Sequence, residues 1–359
     1  MSVVLSYCSN EDNSAFGIVR SGSLTAYEFK APGQVSLKAR IGASNIRFAA
    51  ISGSPLTFIA IARDAENLLD NMYIEVLEIK GNHPVSLGTI SVAKAPVTGI
   101  RMIGQFLLVI NQTSIIAHSL SNLKQYCTIN TFPSTFPVCA VDYNMGVRIA
   151  YADPQKTGLV SIMELKSKEI IGTFKAHNHS IVSIVFGPDG DMIATASSRG
   201  TLVRVFEVSR LFEVGPPTVP PCCSFRRGHV PSSISALLLQ PPFLCVTSDR
   251  ETIHFFQLTQ KDENAQVDTD NQAASLYSIS EGSRFPFYIR IPSSPCFSAR
   301  YIALRSYDRD IGNEMDYQVR HEFWICDHTA TAHSFSVPDR GFHKTQEVLQ
   351  LSEGSTICL

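Results

Sequence analysis

Short apolar runs alternate with turn residues along the whole chain, and no long amphipathic helical period interrupts them. The clearest unit runs from His177 to Val208. Within it Ser180-Ile181-Val182-Ser183-Ile184-Val185-Phe186 reads as a strand, followed by the turn Gly187-Pro188-Asp189-Gly190. Met192-Ile193-Ala194-Thr195-Ala196 reads as a second strand, Arg199-Gly200 as a turn, and Thr201-Leu202-Val203-Arg204-Val205-Phe206 as a third. Cys223 to Arg226 supplies a fourth. Four strands in a repeat of roughly 40–45 residues is the pattern of a propeller blade.

A following unit repeats it, with Ser233–Leu239, Phe243–Val246 and Thr252–Phe256 as its strands. Upstream, Val97–Ile100 and Val138–Val141 open equivalent units. Earlier strands are expected at Val3–Tyr7, Phe16–Val19, Leu24–Phe29, Leu56–Ala62 and Tyr73–Ile79, and late ones at Ala299–Leu304, Glu322–Cys326 and Glu347–Leu351. The expected fold class is therefore all-β: one seven-bladed, WD-repeat-like β-propeller with four antiparallel strands per blade, over residues 1–359. Residues 177–226 are the expected fifth blade and 227–298 the sixth, with a long polar loop at 259–284. Ring closure hides most sheet edges, which a long antiparallel chain must manage. The repeats are degenerate: the sole tryptophan, Trp324, precedes Ile325, so no Trp-Asp dipeptide occurs. Ala176-His177 stands where such repeats often carry Gly-His.

Composition narrows the chemistry. Hydrophobic content of 44% with 17% charged residues suits a packed globule. A net charge of −2 gives no global basic field for nucleic acid, so anion binding must be local. The nine cysteines are scattered without C-x-x-C spacing, which points to reduced thiols in a cytoplasmic protein. The first residues lack the basic and apolar regions of a signal peptide, and the uncharged stretch Phe48–Ala62 is too short to span a bilayer. Membrane contact is thus expected to be peripheral. No phosphate-loop, dinucleotide, nucleophile-elbow or zinc motif occurs, so no cofactor, metal or catalytic residue is expected.

Phe225-Arg226-Arg227-Gly228 holds the candidate chemistry. Adjacent residues of a strand leave on opposite sides, so the two arginines cannot easily share one ligand and each is free to serve its own pocket; by itself an Arg-Arg pair also reads as solvated surface. Their forks match phosphate oxygens bidentately and stay charged at any working pH.

Taken in order, Ala176-His177, Thr195-Ala196-Ser197, Gly200–Phe206, Phe225–Gly228 and Thr252–Phe256 resemble the PROPPIN family, β-propellers that bind polyphosphoinositides in autophagy. The resemblance implies two inositol-phosphate pockets on the rim. The first would use His177, Ser197, Thr201, Arg204 and Arg226, and the second Arg227, Ser248, Thr252 and His254. It implies recognition of phosphatidylinositol 3-phosphate and phosphatidylinositol 3,5-bisphosphate, and residence on pre-autophagosomal, autophagosomal and endosomal membranes. It also implies autophagy proteins docked on other blades, with Arg101 beside an early-blade groove. Loop 259–284 would enter the bilayer through Leu276, Tyr277 and Ile279. Each contact also has a plain structural reading. His177 could anchor a turn, Thr201 and Thr252 suit strands by β-branching, and Ser197 and Ser248 suit turns. A propeller scaffold without lipid binding is the alternative function. The segment Ser209–Cys222, with two Pro-Pro pairs, is longer than the family pattern, and Glu251 stands where many relatives carry glycine.

Overall fold

The computed structural model describes residues 4–20, 22–30, 35–64, 71–81, 83–93, 97–212, 219–241, 243–249, 252–260, 277–278, 287–290, 301–309, 318–326, 331–338 and 357–358. The fold is an all-β propeller whose blades are four-stranded antiparallel sheets. The chain divides into two compact units, residues 1–94 with 294–359, and residues 95–293.

The second unit holds four such sheets, each a meander of sequential strands. Their strands run from Val97 to Asn130, from Cys139 to Lys175, from Ile181 to Arg226 and from Ile234 to Arg290. The third of them follows the sequence pattern closely: Ile181–Phe186, Met192–Ser197, Leu202–Glu207 and Cys223–Arg226. Burial grades across it. Every residue of Met192–Ser197 is buried, whereas the outermost strand alternates, with Cys223 and Phe225 in and Ser224 and Arg226 out. That alternation is what a half-covered strand needs.

Sheet faces pack on neighbouring sheet faces. Val160 and Phe174 of the second sheet meet Ile193 and Phe206 of the third, with the Phe174 and Phe206 rings 4.7 Å apart. On its other face the third sheet puts Ala196, Val203 and Phe225 against Leu244, Val246 and Phe256 of the fourth. The Phe225 and Phe256 rings lie 4.8 Å apart. Each fully buried aromatic or aliphatic side chain contributes about 1.5–3 kcal/mol, so these interfaces fix how far apart the sheets stand.

The first unit holds three four-stranded sheets, running from Val4 to Gly42, from Ile46 to Ala93, and from Tyr301 to Cys358. Val19, Leu24, Ile59 and Ile61 form the core between its first two. The expected strand Leu56–Ala62 begins later, at Phe58–Asp64. Residues 52–57 turn instead, with the Thr57 N–H on the Ser52 carbonyl, because Pro55 cannot donate within a ladder. The expected strand Glu347–Leu351 lies outside the described residues. The outermost strands Val35–Gly42, His83–Ala93 and Gln125–Asn130 escaped the sequence reading: few of their residues are buried and they carry no continuous apolar run. Among the described residues the one helical element is the short 3-10 turn Ser209–Leu211.

Candidate anion-binding clefts

Register decides which residues share a face. Across the outer ladder of the third sheet of the second unit, Leu202 pairs with Arg226 and Arg204 with Ser224. Directly opposed residues of an antiparallel pair sit on one side of the sheet. Arg204, Ser224 and Arg226 therefore form a row on the face that also carries Ile193 and Phe206, toward the Cys139–Lys175 sheet. Arg204 confirms the direction: its Nη1 donates to the Ala176 carbonyl at 2.6 Å. Arg226 is exposed, so its guanidinium is open to solvent at the mouth of this first cleft.

Arg227 goes the other way. It is 8% exposed; its Nε donates to the Gly200 carbonyl at 2.6 Å and its Nη2 to the Val230 carbonyl at 2.7 Å. Its own N–H holds the Thr201 carbonyl at 2.9 Å. Its charge also acts on His254, whose ring lies on the Phe256 side of its strand, the side facing Phe225. Burial first, and the Arg227 charge second, push the His254 pKa down to about 4, so this imidazole is neutral at pH 7. The second cleft thus lies between the third and fourth sheets of the second unit, on the opposite face from the first.

The other expected contacts are more deeply built in. His177 is buried, with Nε2 at 3.1 Å from both the carbonyl and the hydroxyl of Thr195; burial first, and the Arg204 charge among the further causes, push its pKa down to about 4. It ties the entry to the third sheet onto that sheet's second strand, as the turn-anchoring reading expects. Ser197 and Thr201 are also buried, and the Ser197 carbonyl accepts the Gly200 N–H in the turn between them. Ser248 is fully buried and stands at the same register in the fourth sheet, across from Ile234, as Ser197 does across from Ile181. Thr252 opens the strand Thr252–Gln257. Leu276, Ile279 and Glu251 lie outside the described residues, and Tyr277 lies in the short strand Tyr277–Ser278, paired with Thr259–Gln260.

Gly200 sets how closely the turn after Ser197 approaches the next sheet. It has φ +59°, and a Cβ there would stand 1.8 Å from the Ser232 carbonyl oxygen. Only glycine lets the turn between strands approach the next sheet this closely. The long segment after Glu207 is anchored at its start, where the Phe212 ring and the Leu211 carbonyl cover Gly172 of the neighbouring sheet. Ser224, which the sequence reading did not single out, is exposed and stands directly across from Arg204. Arg101, by contrast, spends Nη1 on the Ile100 carbonyl. Among the described residues no group of His, Cys, Asp and Glu could hold a metal ion, and no helix is long and apolar enough to cross a membrane.

The PROPPIN family model matches residues 85–278, more than half of the chain, with Arg226 and Arg227 inside the match. The chain belongs to the PROPPIN family. It is 27% identical to Autophagy-related protein 21 of Schizosaccharomyces pombe over 285 residues, covering 77% of this chain and 78% of that one. With Autophagy-related protein 18 of Dictyostelium discoideum it shares 29% identity over 171 residues, 47% of this chain and 44% of that protein. The match thus spans less than half of that relative's length. Among solved structures, Kluyveromyces lactis Hsv2 superposes with a TM-score of 0.67 at 16% identity, covering 93% of each chain. The complex of KlAtg21 with the coiled-coil of AgAtg16 superposes with a TM-score of 0.64 at 17% identity, covering 94% of this chain and 95% of that one. At these identities the structural likeness concerns the fold. In this PROPPIN chain the paired arginines are the feature that the two clefts share.

Proposed function

We propose that this PROPPIN chain reads phosphoinositides, taking phosphatidylinositol 3-phosphate and the 3,5-bisphosphate in the two clefts, and recruits autophagy machinery to forming autophagosomes. One observation supports the reading: Arg226 ends its strand on the face toward the Cys139–Lys175 sheet, while Arg227, just past it, turns to the Gly200 and Val230 carbonyls. Two weak sites on one rigid sheet bind one membrane with avidity, which a single arginine pair in a single pocket would not provide. Recognition is by binding and no bond is made or broken. The expected count of seven blades belongs to this reading, supported by three four-stranded sheets in one unit and four in the other. So does entry of Leu276, Tyr277 and Ile279 into the bilayer, where each buried apolar side chain would add about 1.5–3 kcal/mol. On the protein side, the KlAtg21–AgAtg16 complex supports a coiled-coil partner, which would dock on blades other than those of the arginines.

The test is co-sedimentation with vesicles containing phosphatidylinositol 3-phosphate, wild type against Arg226→Thr/Arg227→Thr. Binding that is lost in a folded double mutant supports the reader. Wild type that binds neither 3-phosphate nor 3,5-bisphosphate vesicles would sink it in favour of a protein-binding scaffold.

A further inference from the structure

Val230 stands four residues past Arg226, in the connection between the strands Cys223–Arg226 and Ile234–Gln240. At 60% exposed it is, with Met145 at 64%, one of the two most exposed large apolar side chains among the described residues. A scattered surface valine usually means nothing. This one is held outward from both ends. The Arg227 guanidinium bridges the Gly200 carbonyl, through Nε at 2.6 Å, and the Val230 carbonyl, through Nη2 at 2.7 Å. Two residues further on, the buried Ser232 donates its N–H to the Arg199 carbonyl at 3.4 Å and its hydroxyl to the Asp249 carboxylate. Residues 228–231 are thus tied at both ends to the turn around Gly200. Val230 is presented on a fixed backbone, with little ordering entropy left to lose on binding.

Its surroundings choose the occupant. Pro231 beside it is exposed, and so are Arg226 before the connection and Arg199 on the turn that anchors it. Asp249, the carboxylate bonded into this connection, already accepts the Ser232 hydroxyl. An apolar tip flanked by guanidinium groups fits an anionic bilayer: the tip enters the boundary between headgroups and acyl chains, and the arginines stay at the phosphate level. A protein partner would need far more apolar surface, since a standard interface covers about 800 Å² on each side. We propose that Val230 and Pro231 form a short knuckle that enters the surface of a phosphoinositide-bearing bilayer beside the arginines. The inference rests on the phosphoinositide reading above. It differs from the expected entry of loop 259–284 in that the backbone is fixed before it meets lipid.

Met145 is the control within the chain. It lies in the turn between Cys139–Asp142 and Arg148–Ala152, where Asn144 donates to the Pro188 carbonyl of the turn between Ile181–Phe186 and Met192–Ser197. Those turns lie at the opposite end of the strands from Gly200 and Arg227. Equal exposure there should carry no lipid contact.

The experiment gives the full chain soluble inositol 1,3-bisphosphate, by calorimetry, and phosphatidylcholine–phosphatidylserine vesicles bearing phosphatidylinositol 3-phosphate, by co-sedimentation. Val230→Ser should keep wild-type headgroup affinity and lose about three- to ten-fold in vesicle affinity, while Met145→Ser changes neither. Val230→Trp adds a second tryptophan to a chain whose sole one is Trp324. The emission of this variant should shift to the blue on vesicles, and lipids brominated in the upper acyl chain should quench it more than they quench wild type. Vesicle binding by Val230→Ser as tight as wild type would overturn the knuckle, and so would an equal loss in Met145→Ser. Headgroup and vesicle affinity falling together in Val230→Ser would overturn it too, by giving Val230 a structural part through Arg227. In each of those cases headgroup binding by wild type leaves the lipid reading standing. Wild type that takes neither ligand would overturn both.

Discussion

Arg226 and Arg227 are neighbours in sequence and opposites in environment: one is exposed, the other is buried and clamps two backbone carbonyls. Removing each should therefore have a different cost. Arg226→Thr is expected to fold with an unchanged denaturation midpoint and to bind vesicles more weakly. Arg227→Thr should lose about 2–4 kcal/mol of stability, because two carbonyls lose charge-assisted partners. Urea titration of both variants checks this; equal stability would show that the carbonyl contacts of Arg227 contribute nothing.

Gly200 should tolerate no side chain. Gly200→Ala puts a Cβ into the Ser232 carbonyl at a positive φ, so a loss of more than about 2 kcal/mol is expected. Arg227 is held on the Gly200 carbonyl, so headgroup binding that depends on Arg227 should weaken as well. Calorimetric melting combined with headgroup titration reads the two effects; a variant as stable as wild type would contradict the close approach.

A buried ion pair ties the second sheet of this unit to the third. Arg148 Nε donates to Asp142 at 2.6 Å, and Nη2 both pairs with the same carboxylate and donates to the Gly190 carbonyl at 2.7 Å. Both side chains are almost wholly buried, so Asp142→Ala leaves a guanidinium charge without its partner. A loss of about 3–5 kcal/mol is expected. Replacing both by apolar residues of similar size should cost much less, which a thermal melt of the double variant measures.

Stability should fall with acid in a defined window. His177 and His254 have folded pKa values of about 4, against roughly 6.5 when unfolded. Between those values the unfolded chain binds more protons, so stability present above pH 6.5 is lost progressively toward pH 4. The buried His177 alone accounts for about 3 kcal/mol, and the half-buried His254 for less. Urea midpoints from pH 7 to pH 4.5 should drop less in His177→Gln than in wild type. Between pH 6 and 8 neither imidazole titrates, so any change in headgroup affinity there should follow the phosphate's own second ionisation, at about pH 6, and be the same in His177→Gln as in wild type.

Much of the second unit was legible beforehand. Gly187-Pro188-Asp189-Gly190 and Arg199-Gly200 mark turns by chemistry that does not depend on context, and the strands between them carry apolar runs because both faces are covered. Cys223–Arg226 was legible as a strand for its alternation. The exposed outer strand His83–Ala93 was not, since without burial nothing selects its residues. The opposition of Ser224 to Arg204 was not legible for another reason: it is set by a cross-strand partner 20 positions away.

By itself, then, the sequence determined the strands and turns between His177 and Phe256 and the divergence of two arginines, because backbone sterics and strand period act locally. Which sheet face each arginine meets, that His177 is bonded inward, and that Arg227 is spent partly on carbonyls were decided only in the tertiary structure. Those outcomes depend on register and on packing between sheets, and both are set by partners that the local sequence does not name.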